Sequence, residues 1–241
     1  MQQIALIPAR YAATRFPGKL MQLLGDKTVI RHTYENTVAT RLFDQVLVVT
    51  DNRIIFDEIN GHGGRAVMSR REHESGSDRI AEAVLELDAD IVVNVQGDEP
   101  FVQKEPLEKL LEVFKEERVQ VASLMQVMTD KEQVEDPNFV KVAVDNRMDA
   151  LYFSRSVIPY PRDKGIVPVY YEHIGVYAFR KQALLDFTQW GVTPMEALEK
   201  IECLRYLEYG VKIRMVLTEY MGIEIDTDED LERANKRLRG L

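Results

Sequence analysis

The chain has 241 residues, 45% of them hydrophobic, enough to bury a core without disulfide or metal staples. Its 40 acidic side chains outnumber 31 basic ones, and the net charge of −9 argues against a general coat for duplex DNA or for anionic lipid. A single cysteine excludes an intrachain disulfide, and the four scattered histidines lack zinc-ligand spacing. No segment approaches the roughly 18 uncharged apolar residues of a membrane span. No basic region precedes a long apolar stretch at the amino terminus. The expectation is therefore a reducing, cytoplasmic location without export.

Residues 4–9 read as a buried strand feeding a loop that Pro17 and Gly18 interrupt, and residues 28–40 suit a helix. Residues 45–50 are again short, apolar and Val-rich, with Asp51 where a helix N-cap belongs. Residues 75–87 space Ile80, Ala83, Val84 and Leu87 helically, capped by Ser75 or Ser77. Residues 91–95 form the next strand, its end marked by the turn-forming Gln96-Gly97-Asp98-Glu99-Pro100, and residues 104–115 return to helical periodicity. Strand, loop and helix alternate, which implies a mainly parallel, doubly wound sheet. Beyond residue 121 the runs 121–127, 140–145, 150–153 and 174–179 read as strands with few helices between them, an antiparallel extension. Helical stretches at 194–209 and 228–238 accompany strands at 213–217 and 223–225, and the last helix opens acidic and closes basic. No linker divides the chain, so it reads as a single domain.

The loop after the first strand carries Arg10, Arg15 and Lys19, and residues 1–25 hold no acid. Screening over roughly 8 Å lets such a loop attract a polyanion within an acidic protein. It is neither a P-loop nor G-x-G-x-x-G, because Ala13 and Leu20 stand where a P-loop needs Gly and Ser or Thr. A solvated basic loop is the plain alternative; its place at the carboxyl edge of a sheet tips the balance toward a ligand. Asp98 and Asp226 both follow apolar strands, and two carboxylates beside a triphosphate would suit Mg2+. Alternatively, Asp98 shapes its turn, and Asp226 or Asp228 caps the last helix. Arg155 could grip a carboxylate or make a surface ion pair. Read from the residues, His173 and Tyr177 favour packing, as do Trp190 and the methionines.

Residues 7–19, 69–79, 94–100, 151–155, 173–177 and 226–231, in this order, resemble the 3-deoxy-manno-octulosonate (Kdo) cytidylyltransferase, or CMP-Kdo synthetase, family nearly end to end. The resemblance implies a Rossmann-like nucleotidyltransferase fold, a homodimer, and the reaction of CTP with Kdo to CMP-Kdo and pyrophosphate for lipopolysaccharide synthesis. By the same resemblance, roughly 1–120 is the nucleotide-binding part and 121–241 the sugar-binding and dimerisation part. Arg10, Arg15 and Lys19 match triphosphate-binding positions, and Arg70, Ser75 and Arg79 lie in the segment near the cytidine. Asp98 and Asp226 match the Mg2+ ligands, while Gln96, Arg155, His173, Tyr177 and Glu202 match positions around the sugar acid. Cys203 stands where the family usually has Gln, a difference that bears on sugar recognition. Two alternatives remain at this point: a nucleotidyltransferase for another acidic sugar or polyol, and a catalytically silent nucleotide-binding subunit.

Overall fold

A computed structural model describes residues 1–12, 16–71, 73, 75–163, 165–219 and 222–240. The chain forms two compact units, one of Met1–Leu107 with Gly222–Leu241 and one of Glu108–Met221.

The first unit begins with β1 (Gln3–Ala9), whose residues 4–7 are fully buried. A short 3-10 turn at Lys19–Met21 and a small ribbon of β2 (Leu23–Leu24) and β3 (Lys27–Thr28) lead into α1 (Val29–Ala39). Thr28 caps α1 by accepting from Arg31 N at 3.3 Å. Next come β4 (Gln45–Thr50), α2 (Arg53–Gly61), β5 (Ala66–Met68), α3 (Gly76–Val84), β6 (Ile91–Asn94) and α4 (Lys104–Glu112). β1 pairs in parallel with β4 and β6, and β4 with β5, so the order is β6-β1-β4-β5. Strands covered on both faces need continuous apolar runs, and Val46, Leu47, Val48 and Val49 supply one in β4. The register aligns Ala9 with Thr50 and Thr50 with Met68, bringing the loops after these strands out at one carboxyl edge. The cap of α2 is Asn52, accepting from Ile54 N at 2.9 Å, and not Asp51 as the sequence implied. Asp51 instead binds Arg79. Ser75 caps α3, as the spacing predicts.

The second unit opens with β7 (Val121–Met128), followed by α5 (Lys131–Glu135), β8 (Lys141–Val144), β9 (Ala150–Ser154) and β10 (Tyr170–Arg180). After β10 come α6 (Lys181–Gln189), α7 (Pro194–Glu199), α8 (Leu204–Glu208) and β11 (Ile213–Leu217). β10 runs antiparallel to β7 and β8, β8 antiparallel to β9, and β11 parallel to β7. The antiparallel character expected past residue 121 is present, while α6 is a helix that the sequence reading passed over. The single helix expected over 194–209 is two, because Lys200 adopts a left-handed conformation (φ 55°) that ends α7. The chain then returns to the first unit, where 223–225 is not a strand. The Ile225 N–H donates to Asp98 O at 3.0 Å, so this stretch is an extended segment fixed beside the Asp98 turn. Last comes α9 (Asp228–Leu238), capped by Thr227 in a reciprocal capping box with Asp230.

Candidate active site

At the carboxyl edge of the first unit, two loops and the segment before α9 converge. Lys19, on the 3-10 turn after β1, sends its ammonium to Asp226 Oδ1 at 2.6 Å and to Asp98 Oδ2. The turn that carries Asp98 is packed tightly: a Cβ at Gly97 would lie 3.0 Å from Pro8 O and 3.2 Å from Ile30 Cδ1. Gly18, before Lys19, has φ 70° and donates to Tyr11 O at 3.1 Å. The plain reading of Asp226 as a helix cap does not hold, because Thr227 is the cap and the Asp226 side chain is on Lys19.

Two acids that the sequence reading did not single out complete this cluster. One oxygen from each of Asp98, Glu224 and Asp226 lies within 4.8 Å of the others. The alternation Ile223-Glu224-Ile225-Asp226 was the available signal, since an extended segment places Glu224 and Asp226 on one side. Solvent reaches part of Glu224, but its carboxyl end is pushed up to about 8, by burial first and then by the charges of Asp98, Asp226 and Glu99. Glu99 is pushed up to about 7 by burial and by Asp98. Burial works against the Lys19 charge, yet Asp98 and Asp226 together hold its ammonium above the ordinary lysine range. The cluster thus carries an excess of negative charge that one ammonium only partly answers. All-oxygen donors this close suit a hard divalent cation, so the residues fit Mg2+.

The other sequence candidates of this unit are placed variously. Arg10 is exposed just past β1, and Gln96 is half-buried at the start of the Asp98 turn. Arg15 lies outside the described residues. Arg79 is 3% exposed, donating to Asp51 Oδ2 at 2.7 Å and to Ala9 O at 3.4 Å, so it ties the end of β1 to the end of β4. Ser75 Oγ accepts from Asp78 N at 3.1 Å, and exposed Arg70 pairs with Glu86.

In the second unit, Arg155 follows β9. Its guanidinium donates to Glu199 O at 2.7 Å, Pro137 O at 2.9 Å and Lys200 O at 3.5 Å, two of these carbonyls freed by the end of α7. Glu199 in turn accepts from Ser154 Oγ at 2.7 Å and from Arg155 N at 3.0 Å. His173, on β10, has Nε2 3.1 Å from Ser123 Oγ. Part of the residue reaches solvent, but Phe153 and Tyr177 enclose the imidazole, with centroids 5.0 and 5.3 Å away, and burial lowers its pKa to about 4. Tyr177 hydrogen-bonds Cys203, while Glu202 is exposed. The Cys203 thiol, 2% exposed, is pushed up to about 12 by burial, which leaves no thiolate for nucleophilic chemistry.

A parallel α/β unit with cationic and carboxylate side chains at its carboxyl edge defines a class, the nucleotide-handling α/β enzymes. A family model described as Cytidylyltransferase matches residues 4–213. The 3-deoxy-manno-octulosonate cytidylyltransferase of Flavobacterium johnsoniae is 61% identical over 244 residues, covering 100% of both chains. That of Christiangramia forsetii is 56% identical, over 98% of this chain and 96% of its own. A solved structure of CMP:2-keto-3-deoxy-manno-octonic acid synthetase complexed with CTP superposes with a TM-score of 0.95 at 35% identity, covering 100% of this chain and 99% of that one. The chain belongs to the 3-deoxy-manno-octulosonate cytidylyltransferase family.

Proposed function

We propose that the chain transfers the cytidylyl group of CTP to Kdo, giving CMP-Kdo and pyrophosphate, with Lys19, Asp98 and Asp226 at the reacting phosphates. The observation that carries this reading is the convergence of Lys19 on Asp98 and Asp226, three residues far apart in sequence, in a chain 61% identical to a named relative. Such a convergence has no structural need, since an edge cluster with surplus negative charge works against folding.

In the reaction the hydroxyl on the anomeric carbon of Kdo attacks the α-phosphorus in line and gives up its proton to solvent, the new P–O bond forming as the bond to pyrophosphate breaks. Negative charge grows on the leaving oxygens. Lys19 has three donors; two serve Asp98 and Asp226, and the third is available to a phosphate oxygen. Arg10 and Arg15 add planar donors to the triphosphate. Arg70, Ser75 and Arg79 serve the cytidine end: Arg79 by fixing the main chain before Arg10, and Ser75 by setting the start of α3. Asp98 and Asp226 would hold Mg2+, with Glu224 within reach; when bound, that ion supplies polarisation of the phosphoryl oxygens and offsets their charge. On the sugar side, the reading assigns the Kdo carboxylate to Arg155 and its hydroxyls to Gln96, His173, Tyr177 and Glu202. With a pKa of about 4, His173 is neutral at pH 7 and acts as a hydrogen-bonding group only.

Positioning and electrostatics supply the rate in this scheme, with no covalent intermediate. A homodimer and a cytoplasmic location belong to the same reading, and light scattering and cell fractionation test them. The decisive experiment measures pyrophosphate release with each of the four nucleoside triphosphates and Kdo, with and without Mg2+, beside a second acidic sugar. Release restricted to CTP, Kdo and Mg2+ is expected. Turnover with the other sugar but not Kdo overturns the assignment, and no turnover with any pair supports a silent binding subunit.

A further inference from the structure

The second unit contains a buried cation that the scheme above does not use. Lys141, at the start of β8, is 0% exposed, and among the described residues no other lysine is buried. Its Nζ donates to Asp136 O at 3.0 Å and to Phe139 O at 2.7 Å. Burial pulls its pKa down, with Arg155 adding in the same direction and the carboxylates of Asp136, Glu199 and Glu172 opposing. Taking an ammonium out of water is costly, and an apolar side chain of similar length would be cheaper if only packing mattered. What the ammonium does at that cost is hold two carbonyls of one short loop.

That loop, 136–140, carries the supports of two residues assigned to the sugar acid. The Pro137 carbonyl accepts from Arg155 Nη1 at 2.9 Å, and the Val140 carbonyl accepts from His173 N at 2.8 Å. The loop is already folded tightly on itself: Asp136 Oδ1 accepts from Asn138 N at 2.8 Å and from Asn138 Nδ2 at 2.9 Å, and Phe139 N donates to Asp136 O at 3.2 Å. Lys141 therefore pins both ends of a turn whose middle carbonyl faces Arg155. The remaining anchors of Arg155, the carbonyls of Glu199 and Lys200, come from the end of α7 and fix only the opposite side of the guanidinium.

We propose that Lys141 is a positioning residue for sugar-acid recognition: its ammonium fixes the 136–140 loop, and the loop fixes the Arg155 guanidinium through Pro137 and the His173 main chain through Val140. The inference rests on the assignment of Arg155 to the Kdo carboxylate. Removing the ammonium takes the lysine donor from the part-buried Phe139 carbonyl and leaves the Asp136 carbonyl with the Phe139 N–H alone, which lets the turn relax, so the sugar side should suffer while the nucleotide side does not.

The test compares Lys141→Met, Lys141→Gln and Arg155→Ala in the purified full-length enzyme, with KM for Kdo and KM for CTP measured on the same preparations. Lys141→Met is expected to raise the Kdo KM by about 10-fold, with the CTP KM changed less than about 2-fold. Lys141→Gln, which keeps an uncharged amide with two N–H donors on a shorter stem, should fall between Met and the parent. The double variant Lys141→Met with Arg155→Ala should be no worse than Arg155→Ala alone, because one residue acts through the other. Equal rises in both KM values, or an unchanged Kdo KM, in a folded Lys141 variant overturns the proposal. If the Met variant does not fold, the Gln variant decides by the same ratio. An unchanged Kdo KM in Arg155→Ala breaks the Arg155 assignment instead, whereas a raised one with Lys141 variants like the parent breaks only the Lys141 link.

Discussion

In the unit that holds Lys19, charge is answered by side chains: one ammonium lies between Asp98 and Asp226, and Glu224 and Glu99 stand by with raised pKa values. Around Arg155 and Lys141, in the other unit, these two cations are answered by main-chain carbonyls of Asp136, Pro137, Phe139, Glu199 and Lys200. Carboxylates on rotatable bonds can exchange partners when a polyanion and its counter-cation arrive. Carbonyls are fixed by the fold, so a cation bound to them is fixed too. The first arrangement suits a place where charge is redistributed during a reaction; the second suits a place where shape is read.

The largest expected effect breaks the side-chain arrangement. Asp98→Ala should lower kcat by roughly 10³-fold while leaving the thermal midpoint within a few degrees, because an edge carboxylate adds little to the core. Activity within a few-fold of the parent would take Asp98 out of the mechanism. Lys19→Ala comes next, expected to raise the CTP KM by roughly 10- to 100-fold with a smaller change in the Kdo KM, as loss of a charge-assisted phosphate contact predicts. A larger rise for Kdo than for CTP would place Lys19 on the wrong substrate. Arg79→Met tests whether a buried cation of the first unit works structurally like those of the second. It removes the partner of Asp51 and of the Ala9 carbonyl and should cost about 1–3 kcal/mol in chemical denaturation, with the CTP KM rising as the main chain before Arg10 loosens.

The smallest effect concerns His173, whose folded-state pKa is lowered to about 4 by burial. The unfolded chain takes up this proton near pH 6.5, before the folded one does, so the contribution of His173 to stability is complete above pH 6.5. It is lost as the pH falls toward 4. An NMR titration of the imidazole should therefore give a midpoint near 4 in the native protein, and a midpoint near 6.5 would show that Phe153 and Tyr177 do not enclose it.

The fold was legible where burial is two-sided. Residues 4–9, 45–50 and 91–95 are continuous apolar runs because helices cover both faces of a parallel sheet, and each is a strand within a residue or two. Legibility fell where charge entered a strand. β10 begins at Tyr170, but Glu172 and His173 blur its apolar pattern, and only its end, 174–179, could be read. The break at Lys200 carries no glycine or proline signal, so 194–209 resembled one helix. In the site, Lys19, Asp98 and Asp226 were readable from their places after apolar runs, which the carboxyl edge of such a sheet makes meaningful. Glu224 was not singled out, although its alternation with Asp226 carries a signal, since its role depends on where the Asp98 carbonyl holds that extended segment. Nor was Lys141, because nothing in a sequence distinguishes a lysine whose ammonium ends on carbonyls from one that ends in solvent.

The enclosed thiol of Cys203 has a practical corollary. With its proton held to about pH 12 and its sulfur shielded from solvent, the native chain should be silent toward maleimides and iodoacetamide at neutral pH. A cysteine introduced at any exposed position could then carry a fluorophore or spin label as the sole reactive handle, with no background residue to remove first.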